Sequence, residues 1–218
     1  MNRAIDCRTR SALDTEEWKT LPWLRFPKDS LQHLFDFGFE LAALLQQLDR
    51  CESLSPPEAS VSMRATLELE CMGVQQALEE WYSHHWRGRE RLILSSDSPP
   101  DDMMQDSSPA GASPEFENLW EATNIAYFWL FKMILKEILV ATAAEEEQED
   151  LQFAMLDLAV SVVSATPYFL ADGTGWLGPQ RIFFPLKRAM ILLKSKQSPF
   201  AEDALEAFGK VVAKLRSS

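Results

Sequence analysis

Apolar residues along this chain recur at helical intervals in six stretches, each bounded by its own start or stop residues. After Asp29 or Ser30 as N-cap, Leu31, Leu34, Leu41, Leu45 and Leu48 return at steps of three, four or seven and lay one apolar stripe, which predicts a first helix to about Arg50. The segment SLSPPEAS, Ser53 to Ser60, then breaks the chain. Leu67, Cys71, Val74, Leu78 and Trp81 fall on one face with Glu68, Gln75 and Glu79 opposite, predicting a second helix. A third runs from about Glu115 to Ala143. There Tyr127 to Phe131 is apolar without a gap, while Glu117, Glu121, Asn124, Lys132 and Lys136 trace one narrow polar stripe, so most of its circumference is expected to be covered.

The acidic run Glu145 to Asp150 opens a fourth helix, where negative charge complements the dipole at a helix start. Its inner face is Leu151, Met155, Leu158 and Val162, and it is expected to stop near Thr166-Pro167, because proline disfavours helical backbone in the residue before it and has no amide hydrogen to donate. A fifth begins at Gly178-Pro179 with Ile182, Phe183, Leu186, Met190 and Leu193 inward. Pro185 inside that pattern predicts either a kink or a true start at this proline. The last helix starts at Ser198-Pro199 and presents Ala201, Leu205, Phe208, Val212 and Leu215.

No alternating run with hairpin turns appears, so the expected fold is all-α: a single helical bundle of about six or more helices around the central apolar third helix. Residues 1–28 read as an N-terminal arm and 29–218 as the helical domain. At about 95–114 the run SSDSPPDDMMQDSSPAGASP lacks the bulky apolar residues that would offset the entropy of ordering, and reads as a flexible acidic loop.

With 46% apolar residues in 218, the chain can bury a substantial core, and one domain is the simplest reading. Seven Trp and 13 Phe predict a thick core or an aromatic-lined cavity. A net charge of -12 repels a phosphate backbone, so no direct nucleic acid partner is expected. Cys7, Cys51 and Cys71 are too few and too widely separated for a disulfide framework or a zinc site, which fits a reducing compartment. The N-terminus MNRAIDCRTRSALD lacks the roughly 7–15-residue apolar core of a secretory signal. The most apolar segment, Leu119 to Val140, is interrupted by Glu121, Lys132, Lys136 and Glu137, whereas a membrane span needs about 20 nearly uncharged residues. The expectation is an intracellular protein, cytoplasmic or nuclear, without a membrane span.

Candidate chemistry is sparse. Gly173-Thr-Gly175-Trp-Leu-Gly178 matches G-x-G-x-x-G formally, but no strand precedes it and no βαβ unit surrounds it, so it reads as a turn between helices. A weaker use remains, in which the amides of Gly178 to Arg181 and the Arg181 guanidinium hold an anion. His84 and His85 project about 100 degrees apart on a helix and do not share a metal; Glu80 with His84 has workable spacing but no third ligand. His33 is read as a packing residue, with a general base as the alternative, and Asp157 is either surface-exposed or an acid whose pKa is raised by burial. G-x-S-x-G, P-loop and H-E-x-x-H signatures are absent, and neither a metal nor a cofactor is expected.

Three segments, WYSHHW at Trp81 to Trp86, FENLWEATNIAYFWLFKMILKEIL from Phe116, and ATPYFLADGTGWLGPQRIFFPLKRAM from Ala165, resemble in that order the C-terminal regulatory region of fungal binuclear zinc-cluster transcription regulators. The resemblance implies an all-α regulatory body that contacts an effector or proteins, while DNA is read by a separate N-terminal zinc cluster. Here no six-cysteine cluster or basic arm precedes the region, and the terminal helix lacks the tryptophan often found after its Ser-Pro start. Either Met1 begins a fragment, or the chain is a stand-alone descendant without the reader.

Two functions follow. One is a transcription-regulator-like binding module for a small hydrophobic effector or a protein partner. The alternative is an enzyme of fungal specialised metabolism, a Diels–Alderase-like cyclase or pericyclase that works by positioning substrate in an aromatic cavity. For a cavity of either kind, the lining residues expected are Trp120, Asn124, Tyr127, Phe128, Tyr168 and Trp176, with Arg181 as an anion contact. Oligomeric state is not legible.

Overall fold

In the computed structural model, which describes residues 1–53, 57–86 and 116–217, helices form along the apolar stripes and no strand is present among the described residues. Two short helices, α1 (Asn2–Asp6) and α2 (Glu16–Thr20), precede α3 (Ser30–Ser53) and α4 (Pro57–Trp86). After them come α5 (Leu119–Thr142), α6 (Glu145–Leu170), α7 (Leu177–Ser195) and α8 (Ala201–Arg216), with 3-10 turns at Leu21–Trp23 and Asp172–Thr174. The fold is all-α, as the periodicity predicts. The acidic segment 95–114 lies outside the described residues.

The centre is α5, of whose 24 residues 16 are buried. It packs against α3, α4, α6 and α7. Its start is fixed by Asn118, whose Oδ1 accepts the Glu121 amide at 2.9 Å, while Glu121 Oε2 accepts the Glu117 amide at 2.7 Å. Leu130, Phe131, Ile134 and Leu135 are sealed from solvent, each contributing about 2 kcal/mol of apolar transfer before entropy is counted. Consecutive helices α5–α6, α6–α7 and α7–α8 are neighbours in space, so short links make antiparallel pairs. On the other side, Trp81 Nε1 donates to Ser30 O at 3.1 Å, tying the end of α4 to the start of α3, and Lys132 pairs with Glu79 at 2.6 Å between α5 and α4.

The arm is folded against this body. Ile5 is sealed in the core, and Arg8 ends α1 with φ +48. That left-handed backbone sends the Arg8 guanidinium to Asp49, at 2.7 Å, and Glu137, at 3.2 Å, while Arg188 reaches the other Glu137 oxygen at 2.6 Å and Lys187 holds Asp6 at 2.7 Å.

Several boundaries differ from the sequence expectation. α4 begins at Pro57, inside the stretch expected to break the chain, because proline is tolerated in a first turn. α6 passes Thr166-Pro167 and ends at Leu170: so near the end, the missing proline amide costs one terminal hydrogen bond, and Lys214 Nζ donates to the Leu170 carbonyl. α7 is continuous through Pro185, whose ring is buried together with Phe184 and Leu186. α8 presents Ala204 and Val211 to the bundle and leaves Leu205 exposed, since the small alanine lets the helix lie close. By length and composition α6 is apolar enough to cross a membrane, a test that core helices of soluble proteins also pass, and a third of its apolar window is buried in the bundle.

Candidate functional site

The seven residues expected to line a site all come from one end of the bundle, where α5 begins, α6 ends and α7 begins. Their side chains separate there into distinct environments. Asn124 is fully buried: its Nδ2 donates to Trp120 O at 2.8 Å, and its Oδ1 has no partner. Tyr127, at i+3 on the same stripe, meets Phe35 edge-on at 5.0 Å and lies 5.9 Å from the Phe131 ring. Burial pushes the Tyr127 phenol up, offset in part by Asn2 within hydrogen-bonding reach and by the positive charge of Arg181. The structure therefore brings Asn2 from α1 to Tyr127, one turn after Asn124 on α5, and Asn2 Oδ1 is itself buried without a partner.

The other four residues go elsewhere. Phe128 stacks on Tyr82 at 4.6 Å and Trp81 at 6.0 Å, with the Lys132 ammonium 5.3 Å from its centroid, and so fills the α4–α5 contact. Tyr168 meets Phe116 edge-on at 5.1 Å, and burial together with the Glu121 carboxylate pushes its phenol up. Trp120 and Trp176 face outward, the latter 55% exposed. None of the seven lines either of two grooves on the body. One, of about 380 Å³, lies over Ala43, Leu44 and Val74 beneath Arg10 and Glu70. The other, of about 230 Å³, lies between α5 and α7 beside Glu137 and Arg188.

The glycine loop is closed. Gly175 has φ +57, which glycine adopts without strain, and a side chain at Gly178 would overlap the Phe169 carbonyl and the Thr174 hydroxyl. Asp157 is exposed, and His85 packs on Trp81 at 5.1 Å. Burial first, then the neighbouring His84 and His33, hold the His85 imidazole below its usual range. Among the described residues no three His, Cys, Asp or Glu side chains converge as a metal site.

A surface feature was not anticipated. Within residues 13–26, Leu13, Trp18, Leu21, Leu24 and Phe26 are all exposed, Leu24 and Phe26 to 78% and 75%. Trp18 and Leu21 also border a surface hollow of about 240 Å³ with Glu17 and Pro22. The signal was present in LPWLRF, a bulky run with too few residues for a periodicity. Asn2 lacked any local signal; Gly38, inside the Leu34 to Leu41 stripe, hinted at a close approach there.

The class these features define is an all-α bundle with a docked N-terminal arm. No protein-family model matches the chain, and no curated protein or solved structure matches it significantly.

Proposed function

We propose that the chain is a regulator-like helical binding module that works by docking a protein partner on the apolar ridge of residues 13–26. The observation that carries this reading is the exposure of five large apolar side chains within fourteen consecutive residues, since clustered exposed apolar surface marks interaction sites on folded proteins. The aromatic rings that an effector or substrate cavity would need are instead engaged with one another across helix contacts, which favours the protein partner over the enzymatic alternative. The charge of -12 supports a partner other than nucleic acid.

The test is site-specific photo-crosslinking in cells from position 24, with position 205 on α8 as an exposed apolar control. A discrete crosslinked protein from position 24 alone, lost when Trp18 and Phe26 become serine, is the expected result. Equal products from both positions, or none from position 24, overturn the reading. The Trp18→Ser, Phe26→Ser chain should keep its stability within about 0.5 kcal/mol, because neither ring is part of the core.

A further inference from the structure

We propose that the slot between α3, α5 and α7, filled here by residues 1–5 of the arm, is a binding site for a small neutral amphipathic molecule, an alkyl chain carrying a primary amide or hydroxyl, which competes with the arm for it. The site is separate from the docking ridge and does not depend on it.

Its apolar half is shaped by an absence. A side chain at Gly38 would run into Met1 Sδ and come within 2.8 Å of Phe131 Cζ, so glycine on α3 is what makes room for an unbranched chain against the Phe131 ring. Phe35 and Tyr127 continue that wall. The polar half is Asn124 and Tyr127. Asn124, Tyr127 and Phe131 stand at i, i+3 and i+7 of α5, hence on one stripe, and Arg181 approaches from α7 closely enough for its charge to be felt at Tyr127.

The present occupant fits the apolar half better than the polar half. Asn124 Oδ1 and Asn2 Oδ1 are both buried acceptors without donors, in a protein interior where such groups are ordinarily paired. An N–H or O–H donor placed against Asn124 Oδ1 repairs that deficit. Tyr127 supplies a hydroxyl donor for a carbonyl on the same ligand. A primary amide satisfies both, and its alkyl chain replaces the Met1 side chain.

The arm is also held in a way that lets it leave. Residues 1–5 are held by Ile5 in the core, by Met1 and Ala4 packed against it and by Asn2 at Tyr127, while the flanking ion pairs of Asp6 with Lys187 and of Arg8 with Asp49 and Glu137 are all partly exposed and hold weakly. Release of so short an element is local opening and leaves the helical body intact.

Hexanamide is the probe, measured by calorimetry on the full chain, on Ile5→Asp, and on Ile5→Asp with Asn124→Leu. Loosening the arm raises the competent fraction, so Ile5→Asp should bind about tenfold more tightly than the unsubstituted chain. Adding Asn124→Leu should remove most of that gain, and methyl hexanoate, which has no donor, should bind weakly to all three. Equal affinity of the first two chains, or no loss with Asn124→Leu, overturns the proposal. Hydrogen exchange of α5 is followed in parallel. If Ile5→Asp strips its protection, the comparison passes to Arg8→Ala with Lys187→Ala, which cuts only surface pins, and unchanged affinity there is equally fatal.

Discussion

Alanine at Gly38 sets two energies of similar size against each other in a single helix. Away from contacts, glycine to alanine inside a helix stabilises by about 1 kcal/mol. At Gly38 the new methyl would meet the Met1 side chain, which can swing away, and the Phe131 ring at 2.8 Å, which is sealed in the core and cannot. Overpacking of that kind costs about 1–3 kcal/mol, so the net expectation is a loss of about 1 kcal/mol. Gly73 in α4 and Gly209 in α8 are internal controls: nothing lies within 4 Å of a side chain built there, and each alanine should stabilise by about 1 kcal/mol. Thermal and urea unfolding followed by helix circular dichroism resolve this, because for a chain of this size 1 kcal/mol moves Tm by about 2–4 °C. Gly38→Ala stabilising as much as Gly73→Ala would refute the reasoning, since the close approach of arm, α3 and α5 would then carry no energetic weight. In a double-mutant cycle, Gly38→Ala should cost less in a Phe131→Leu background than in the unsubstituted chain.

Glu137→Gln removes the shared carboxylate of Arg8 and Arg188 and should cost about 1 kcal/mol at low salt, less at high salt, because partly exposed pairs are screened; an equal loss at both would point to packing. Toward a thiol reagent, Cys7 should react quickly in the native chain and Cys51 and Cys71 only after denaturation, read as one fast thiol rising to three. Burial holds the Cys71 thiol up to about 12 from an ordinary 9.0, so the unfolded chain ionises first. Stability should therefore be intact below pH 9.0 and fall as pH rises toward 12, with a shallower fall in Cys71→Ala measured by urea titration at each pH.

What the sequence made legible was whatever one helix decides by itself. Leu31, Leu34, Leu41, Leu45 and Leu48 are all buried, as are Leu67, Cys71, Leu78 and Trp81, because a 3.6-residue stripe needs no knowledge of its neighbour. Leu205 broke the pattern since the depth at which α8 sits depends on Ala204 and on the surface beneath it. Pro167 misled as a stop, and Pro185 as a start, because a breaker's cost is local, whereas the burial that offsets it is tertiary. For the candidate site, Asn124 was legible as a polar position on an otherwise covered helix, Tyr127 as one of that helix's aromatic residues, and Arg181 as a cation beside a helix start. Their partner Asn2 was not, since only the folded arm brings it there. Phe128 and Tyr168 shared the aromatic signal of Tyr127 but point to other helix contacts, a division that composition cannot express.

The anchors of the arm have a consequence for the order in which the chain assembles. Arg8 and Glu137 are 129 residues apart, and Asp6 and Lys187 are 181 apart. On a ribosome, residues 6–8 must therefore wait until α7 has emerged before their last contact exists. In refolding, closing so long a loop comes after the hairpins of neighbouring helices have formed, and the arm docks as the final step. Until then this segment is open to other binders, and it is the emergence of α7 that claims it.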